Sequence, residues 1–178
     1  MTETNTTLRV GQTVPNFKTK ALLADGSFKE IQWNDYKGKW VVLFFYPLDF
    51  TFVCPTEIQA FNENYTKFQQ AGAEVLTAST DSVYSHLAWT KSGLGQIRFP
   101  MIGDTNHSVS KLFNVLVEEA GIALRGTFII NPDGKLCSAV VNDLSVGRNV
   151  EETLRTLQAF QTGKLTGCNW KPGEKTLG

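Results

Sequence analysis

The sequence predicts an α/β protein in which a central mixed β-sheet is flanked by helices on both faces. Three observations carry that prediction. Residues Trp40-Val-Val-Leu-Phe-Phe-Tyr46 are apolar throughout, as a strand buried on both faces must be. After residue 54 the spacing changes, and Ile58, Phe61, Tyr65 and Phe68 recur at three- and four-residue steps, the period of an amphipathic helix. Further on, Arg125–Val141 reads as two strands turning at Asn131-Pro-Asp-Gly134, ahead of a last helical pattern. Strands that first alternate with helices and then form a hairpin make the sheet mixed.

The elements follow in order. Residues 10–33 hold short extended pieces around Phe17 and Phe28, with a turn at Ala24-Asp25-Gly26-Ser27. The strand at Trp40–Tyr46 is stopped by Pro47, and the helix after Cys54-Pro55 runs to a stop at Gly72. Glu74–Ser79 is the next strand, and Asp81-Ser82 caps a helix through about Lys91. A short strand at Phe99-Pro-Met-Ile precedes a helix near His107–Leu116. Asn149 opens the final helix, where Val150, Leu154 and Leu157 share a face, and it ends near Gly163. Thr166–Gly178 has no periodicity and reads as a mobile arm, so the chain divides into a domain at 1–165 and an arm at 166–178.

Composition narrows the function. A chain of 178 residues, 42% hydrophobic and 19% charged, suits one globular domain. Seventeen Lys and Arg balance seventeen Asp and Glu, leaving no electrostatic footprint for nucleic acid or a membrane surface and little to oppose self-association. The N-terminal stretch Met1–Val10 is polar and no basic region precedes an apolar core, so it is no secretory signal; no apolar run approaches the roughly 18 residues of a membrane span. The expected location is cytoplasmic, where thiols stay reduced and cysteines more often do chemistry than staple a fold. The three cysteines, Cys54, Cys137 and Cys168, form no C-x-x-C pair, and only His86 and His107 could join them. That spacing suits no metal, no bound cofactor is expected, and both histidines are read as surface or capping residues.

Cys54 is the candidate reactive centre. The strand-to-helix junction puts it in or just before the first helical turn, where unpaired N–H groups and the helix dipole favour a thiolate. Pro55 fits an early helical position, having no N–H to leave unpaired. Thr51, one turn earlier, is placed to offer its hydroxyl to the same sulfur. Phe44, Phe45, Phe50 and Phe52 would keep water out, which favours the thiol instead, so a cation must come from elsewhere. Core filling is the competing reading, since free cysteines are often buried. A thioredoxin-type dithiol is excluded, because residue 57 is Glu57.

Pro47, Thr51 and Cys54 match the Pro-x-x-x-Thr/Ser-x-x-Cys signature of the peroxiredoxins. The longer string "FFYPLDFTFVCPTE" resembles their typical two-cysteine class, which includes the bacterial alkyl hydroperoxide reductase C component. "SHLAW", "RGTFIINPDG", "VGRNVEE" and "WKPGE" extend the likeness in the right order over nearly the whole chain. The resemblance implies a thioredoxin-like fold and a thiol peroxidase acting on hydrogen peroxide and organic hydroperoxides. It carries over Cys54 as the peroxidatic cysteine, Thr51 and Arg125 as its partners and Pro47 as the shield of the pocket. Glu57 and Arg148 carry over as supporting groups behind them.

Activation of sulfur alone is too small an effect. Lowering a thiol pKa from about 8.5 to about 6 raises the thiolate fraction at pH 7 roughly 30-fold, while intrinsic nucleophilicity falls. The leaving oxygen of the peroxide must also be stabilised, and each preorganised donor aimed at it is worth about 3–4 kcal/mol.

The resulting sulfenic acid condenses with a second thiol. Cys137 stands three residues after the hairpin turn, inside a strand, and is read as structural. Cys168 lies in the arm and matches the family's resolving cysteine, which implies an intersubunit disulfide in a homodimer and, beyond it, a decamer of five dimers. A flavoprotein disulfide reductase and thioredoxin both fit as reductant. The context Gly167-Cys168-Asn169 lacks the family's usual Val and Pro, implying a looser arm. Ser92-Gly-Leu-Gly95 and the absence of a C-terminal Tyr-Phe helix imply resistance to overoxidation. Two other readings are a one-cysteine peroxidase with Cys168 incidental, and a ring-shaped holdase chaperone that does not need Cys54.

Overall fold

A computed structural model describes residues 7–178; the start of the polar stretch read as no secretory signal lies outside them. The strands are β1 (Lys18–Leu22), β2 (Phe28–Gln32), β3 (Trp40–Phe45), β4 (Ala73–Ser79), β5 (Met101–Gly103), β6 (Leu116–Val117), β7 (Ile122–Ala123), β8 (Arg125–Ile130) and β9 (Leu136–Asn142). The α-helices are α1 (Cys54–Glu63), α2 (Tyr65–Gln70), α3 (Val83–Trp89), α4 (Ser108–Leu112) and α5 (Val150–Gln161). Seven strands form one sheet in the order β2-β1-β5-β4-β3-β8-β9, and β6 and β7 form a separate small hairpin. The pairs β3–β4 and β4–β5 are parallel and the others in the large sheet antiparallel, so the sheet is mixed.

The central strand explains the two-sided core. Val42 and Phe44 of β3 pack with Ile58, Phe61, Phe68 and Leu157 on one face. Val41, Leu43 and Phe45 pack with Val109 and Phe113 on the other. Strand side chains alternate, so a strand covered on both faces has to be apolar at every position. Phe44 stacks on Phe61 with ring centroids 4.0 Å apart. Burying a side chain of that size stabilises the fold by about 1.5–3 kcal/mol.

Several boundaries differ from the sequence expectation, each for a local reason. The helix after Cys54 breaks at Asn64, whose side-chain amide donates to Ala60 O at 2.9 Å and competes with the helical ladder. The helix expected over 107–116 is only Ser108–Leu112, because Asn114 turns left-handed at φ 56. It is capped by Asp104, whose carboxylate accepts from the N–H groups of Val109 (3.0 Å) and Ser110 (2.7 Å); half-buried His107 precedes the helix without a side-chain cap bond. Ser82 does cap α3, accepting from Ser85 N at 3.2 Å. Thr166–Gly178 has no helix or strand, yet it is packed against the domain, with Trp170 buried.

Two consequences of topology build the site. The chain leaves β3 at its C-terminal end, crosses Tyr46–Val53 and enters α1 at Cys54. β8 runs antiparallel to β3, with Thr127 opposite Phe44, so the first residue of β8, Arg125, lies at that same end of the sheet.

Candidate active site

Cys54 is the first residue of α1, with Val53 at the N-cap and Pro55 in the first turn. It is fully buried. Arg125 Nη1 donates to its sulfur at 3.4 Å, and Nε of the same guanidinium donates to Leu144 O at 2.8 Å. The cation required by the sequence argument therefore comes from β8.

Glu57, one turn along α1, fixes that cation. Its Oε2 accepts from Arg125 Nη1 at 2.6 Å, and its Oε1 accepts from Arg148 Nε at 3.0 Å and from the Arg148 backbone N–H at 3.2 Å. Arg148 is further held by Gly126 O at 3.1 Å and by Phe45 O, and its guanidinium lies over the Phe44 ring, 5.1 Å from the centroid. Burial pulls the Arg148 pKa down and Glu57 opposes that pull. Two guanidiniums share one carboxylate, leaving an excess of one positive charge beside the sulfur.

The other expected site residues are placed as follows. Pro47 is buried in the loop before α1. Thr51 is not bonded to the sulfur as the sequence suggested; its hydroxyl donates to Leu48 O at 2.9 Å and closes a turn of the loop. Phe44 and Phe45 are buried, but Phe50 is 59% and Phe52 94% exposed, so those two do not shield Cys54 in this state. Cys137 is half-buried on β9, where burial raises its thiol pKa. Cys168 is exposed in a turn of the arm.

Sequence reasoning missed one cluster and misread a residue in it. His86 is neither at the surface nor a cap: it is fully buried on α3. Its Nε2 faces Ile102 O at 3.0 Å, an acceptor only, so that nitrogen carries a hydrogen. Its Nδ1 lies 2.7 Å from Asp49 Oδ2, and Tyr46 OH donates to Asp49 Oδ1 at 2.7 Å. Burial, reinforced by Asp49, pushes the Tyr46 phenol well above its usual range, which keeps it a donor. The Asp49 N–H in turn donates to Asp81 Oδ2 at 2.7 Å. Asp49 thus pins the loop that carries Thr51 and leads into Cys54. Its position between Pro47 and Thr51 was the available signal.

Known proteins resemble the chain along nearly its whole length. The model of the AhpC/TSA family matches residues 10–139. The peroxiredoxin TSA1 of Saccharomyces cerevisiae is 53% identical over 178 residues, covering 95% of this chain and 90% of that protein. A thioredoxin peroxidase of Echinococcus granulosus is 51% identical over 177 residues, covering 94% and 91%. The crystal structure of reduced Plasmodium vivax 2-Cys peroxiredoxin superposes with a TM-score of 0.90 at 39% identity, covering 93% of this chain and 91% of that one.

Proposed function

The chain belongs to the AhpC/TSA family of peroxiredoxins, and from that premise we propose a two-cysteine cycle that starts at Cys54 and closes at Cys168. The observation that carries the proposal is the hydrogen bond from Arg125 Nη1 to the Cys54 sulfur, inside a charge cluster one positive unit in excess.

In the first step the Cys54 thiolate attacks one oxygen of a hydroperoxide. An S–O bond forms, the O–O bond breaks, and the leaving oxygen takes a proton to become water or an alcohol. Arg125 stabilises the negative charge that grows on the leaving oxygen, and the unpaired N–H groups of the first turn of α1 act beside it. Thr51, already aligned by its loop, is assigned to the peroxide rather than to the sulfur. Pro47 limits the pocket, while Glu57 and Arg148 hold Arg125 in place.

In the second step the sulfenic acid at Cys54 condenses with Cys168 of a second subunit: an S–S bond forms and water leaves. This assigns residues 1–165 to peroxide chemistry and 166–178 to resolution. It makes the homodimer the smallest working unit, with a decamer as the larger assembly. A dithiol reductant reopens the disulfide, and the names of relatives called thioredoxin peroxidase support a thioredoxin-type partner over a flavoprotein reductase. A cycle of free thiols also suits the reducing cytoplasm.

The test is to give Cys168→Ser protein one equivalent of hydrogen peroxide with dimedone and map the adduct by mass spectrometry. The adduct is expected on Cys54; an adduct on Cys137 with Cys54 unmodified would refute the reading.

A further inference from the structure

Arg125 is held from a second side by the segment that follows β9. Antiparallel pairing sets Arg125, the first residue of β8, directly opposite Asn142, the last of β9. The chain then turns, and the Leu144 carbonyl accepts from Arg125 Nε at 2.8 Å. It rejoins the site at Arg148, whose backbone N–H donates to Glu57 Oε1 at 3.2 Å. Just before it, Gly147 runs along the start of α1: a Cβ there would lie 3.5 Å from Val53 Cγ1 and 3.7 Å from Glu57 Oε1. Residues 142–148 thus touch both the cation and the carboxylate that fixes it.

Burial does little to shape this turn, because Asp143, Ser145, Val146 and Gly147 are all exposed. Hydrogen bonds shape it instead, and Asp143 makes the shortest one within it. Its Oδ1 accepts from Leu144 N at 2.7 Å. Its backbone carbonyl accepts from Val146 N at 3.4 Å, which puts aspartate at the first position of a four-residue turn, where turns favour it. Asn142 Nδ2 adds two long contacts, to Val146 O and Gly147 O, both at 3.5 Å. Leu144 is therefore gripped at its N–H by Asp143 while its carbonyl holds Arg125.

That carbonyl matters for the third nitrogen of the guanidinium. Nη1 is engaged by Glu57 and the Cys54 sulfur and Nε by Leu144, while Nη2 has no protein partner among the described residues. No buried side-chain nitrogen or oxygen among them lacks a partner, so Nη2 reaches solvent and is open to a peroxide. The group is planar, and fixing Nε and Nη1 fixes Nη2 with them. We infer that Asp143 is a positioning residue for peroxide reduction: through Leu144 it locks the Nε edge of Arg125 and so aims Nη2 at the leaving oxygen. The inference rests on the proposed role of Arg125. Chemically the step is unchanged: the thiolate's electron pair forms the S–O bond, the O–O pair departs on the leaving oxygen, and that oxygen takes a proton. Asp143 touches neither the sulfur nor the peroxide; it supplies alignment of the donor before charge appears.

The experiment measures the second-order rate with hydrogen peroxide, by stopped-flow tryptophan fluorescence, in the intact protein, Asp143→Ala, Asp143→Asn, Arg125→Met and Arg125→Met combined with Asp143→Ala. Asp143→Ala is expected to react about three- to tenfold more slowly, the fold-change that one hydrogen bond is worth. Asp143→Asn keeps an acceptor oxygen and should react within about twofold of the intact protein. In the Arg125→Met background Asp143→Ala should have no further effect, a coupling that a merely structural role would not produce. Asp143 is exposed, so its variants should fold, with the urea midpoint and the alkylation of Cys54 by iodoacetamide unchanged. An unaltered rate in Asp143→Ala, an Asp143→Asn rate as low as that of Asp143→Ala, an equal loss in the Arg125→Met background or a parallel fall in alkylation would overturn the inference. If Arg125→Met itself reacts at the full rate, the role proposed for Arg125 fails and takes this inference with it.

Discussion

Arg125 Nη1 lies 2.6 Å from Glu57 Oε2, both side chains are almost fully buried, and the same nitrogen reaches the Cys54 sulfur at 3.4 Å. The carboxylate thus aims the guanidinium without neutralising the site, because Arg148 competes for it. A donor fixed before the reaction needs no reorganisation when charge appears on the peroxide, which is why such groups weigh heavily in catalysis.

Replacing Arg125 with Met should lower the second-order rate with hydrogen peroxide by about 10²–10³. Stopped-flow tryptophan fluorescence of the reduced protein measures it. Glu57 keeps Arg148 as a partner in this variant, so the fold should survive.

Glu57→Gln should be the more damaging change to stability. It leaves two buried guanidiniums without a counter-charge, and breaking a buried pair from one side costs about 3–5 kcal/mol. The urea midpoint should fall accordingly, and an unaltered midpoint would show that the cluster is not held together by charge.

His86→Leu removes the group facing Asp49, whose side chain is only 1% exposed. Destabilisation of about 1–3 kcal/mol is expected, the cost of leaving a buried polar group without its hydrogen-bond partner. Because Asp49 pins the loop before α1, the buried Cys54 should also become easier to alkylate. A loss of stability with unchanged Cys54 protection would separate the cluster from the loop.

Cys137 should be the slow thiol. Burial raises its pKa above the ordinary thiol range, and the thiolate is the reactive form. Raising the pKa moves the titration to higher pH, so labelling by iodoacetamide should stay low at neutrality and climb only in the alkaline range. Labelling at pH 7 as fast as that of exposed Cys168 would contradict this.

The sequence made some of this visible and hid the rest for physical reasons. The alternation of apolar runs and helical periods located the sheet and the final helix, because burial on two faces of β3 and one face of α5 leaves a direct imprint on residue type. Cys54 is a candidate from its place at the strand-to-helix junction, whereas Arg125, Glu57 and Arg148 follow only from the motif resemblance; spacing alone could not bring residues 54 and 125 together, since that contact depends on β8 lying antiparallel to β3. His86 was misread because a buried histidine differs from a surface one only in its surroundings. The Thr51 hydroxyl does not meet the sulfur because, three residues from a carbonyl, it closes a local turn instead. The arm looked loose because a single arginine and a single tryptophan, without periodicity, hold it.

The most direct test of the two-cysteine cycle is a non-reducing gel after one equivalent of hydrogen peroxide, run on the intact protein and on Cys54→Ser, Cys137→Ser and Cys168→Ser. The account predicts a covalent dimer in the intact protein and in Cys137→Ser, and none in the other two. A dimer that depends on Cys137, or peroxide consumption with no dimer at all, would contradict it.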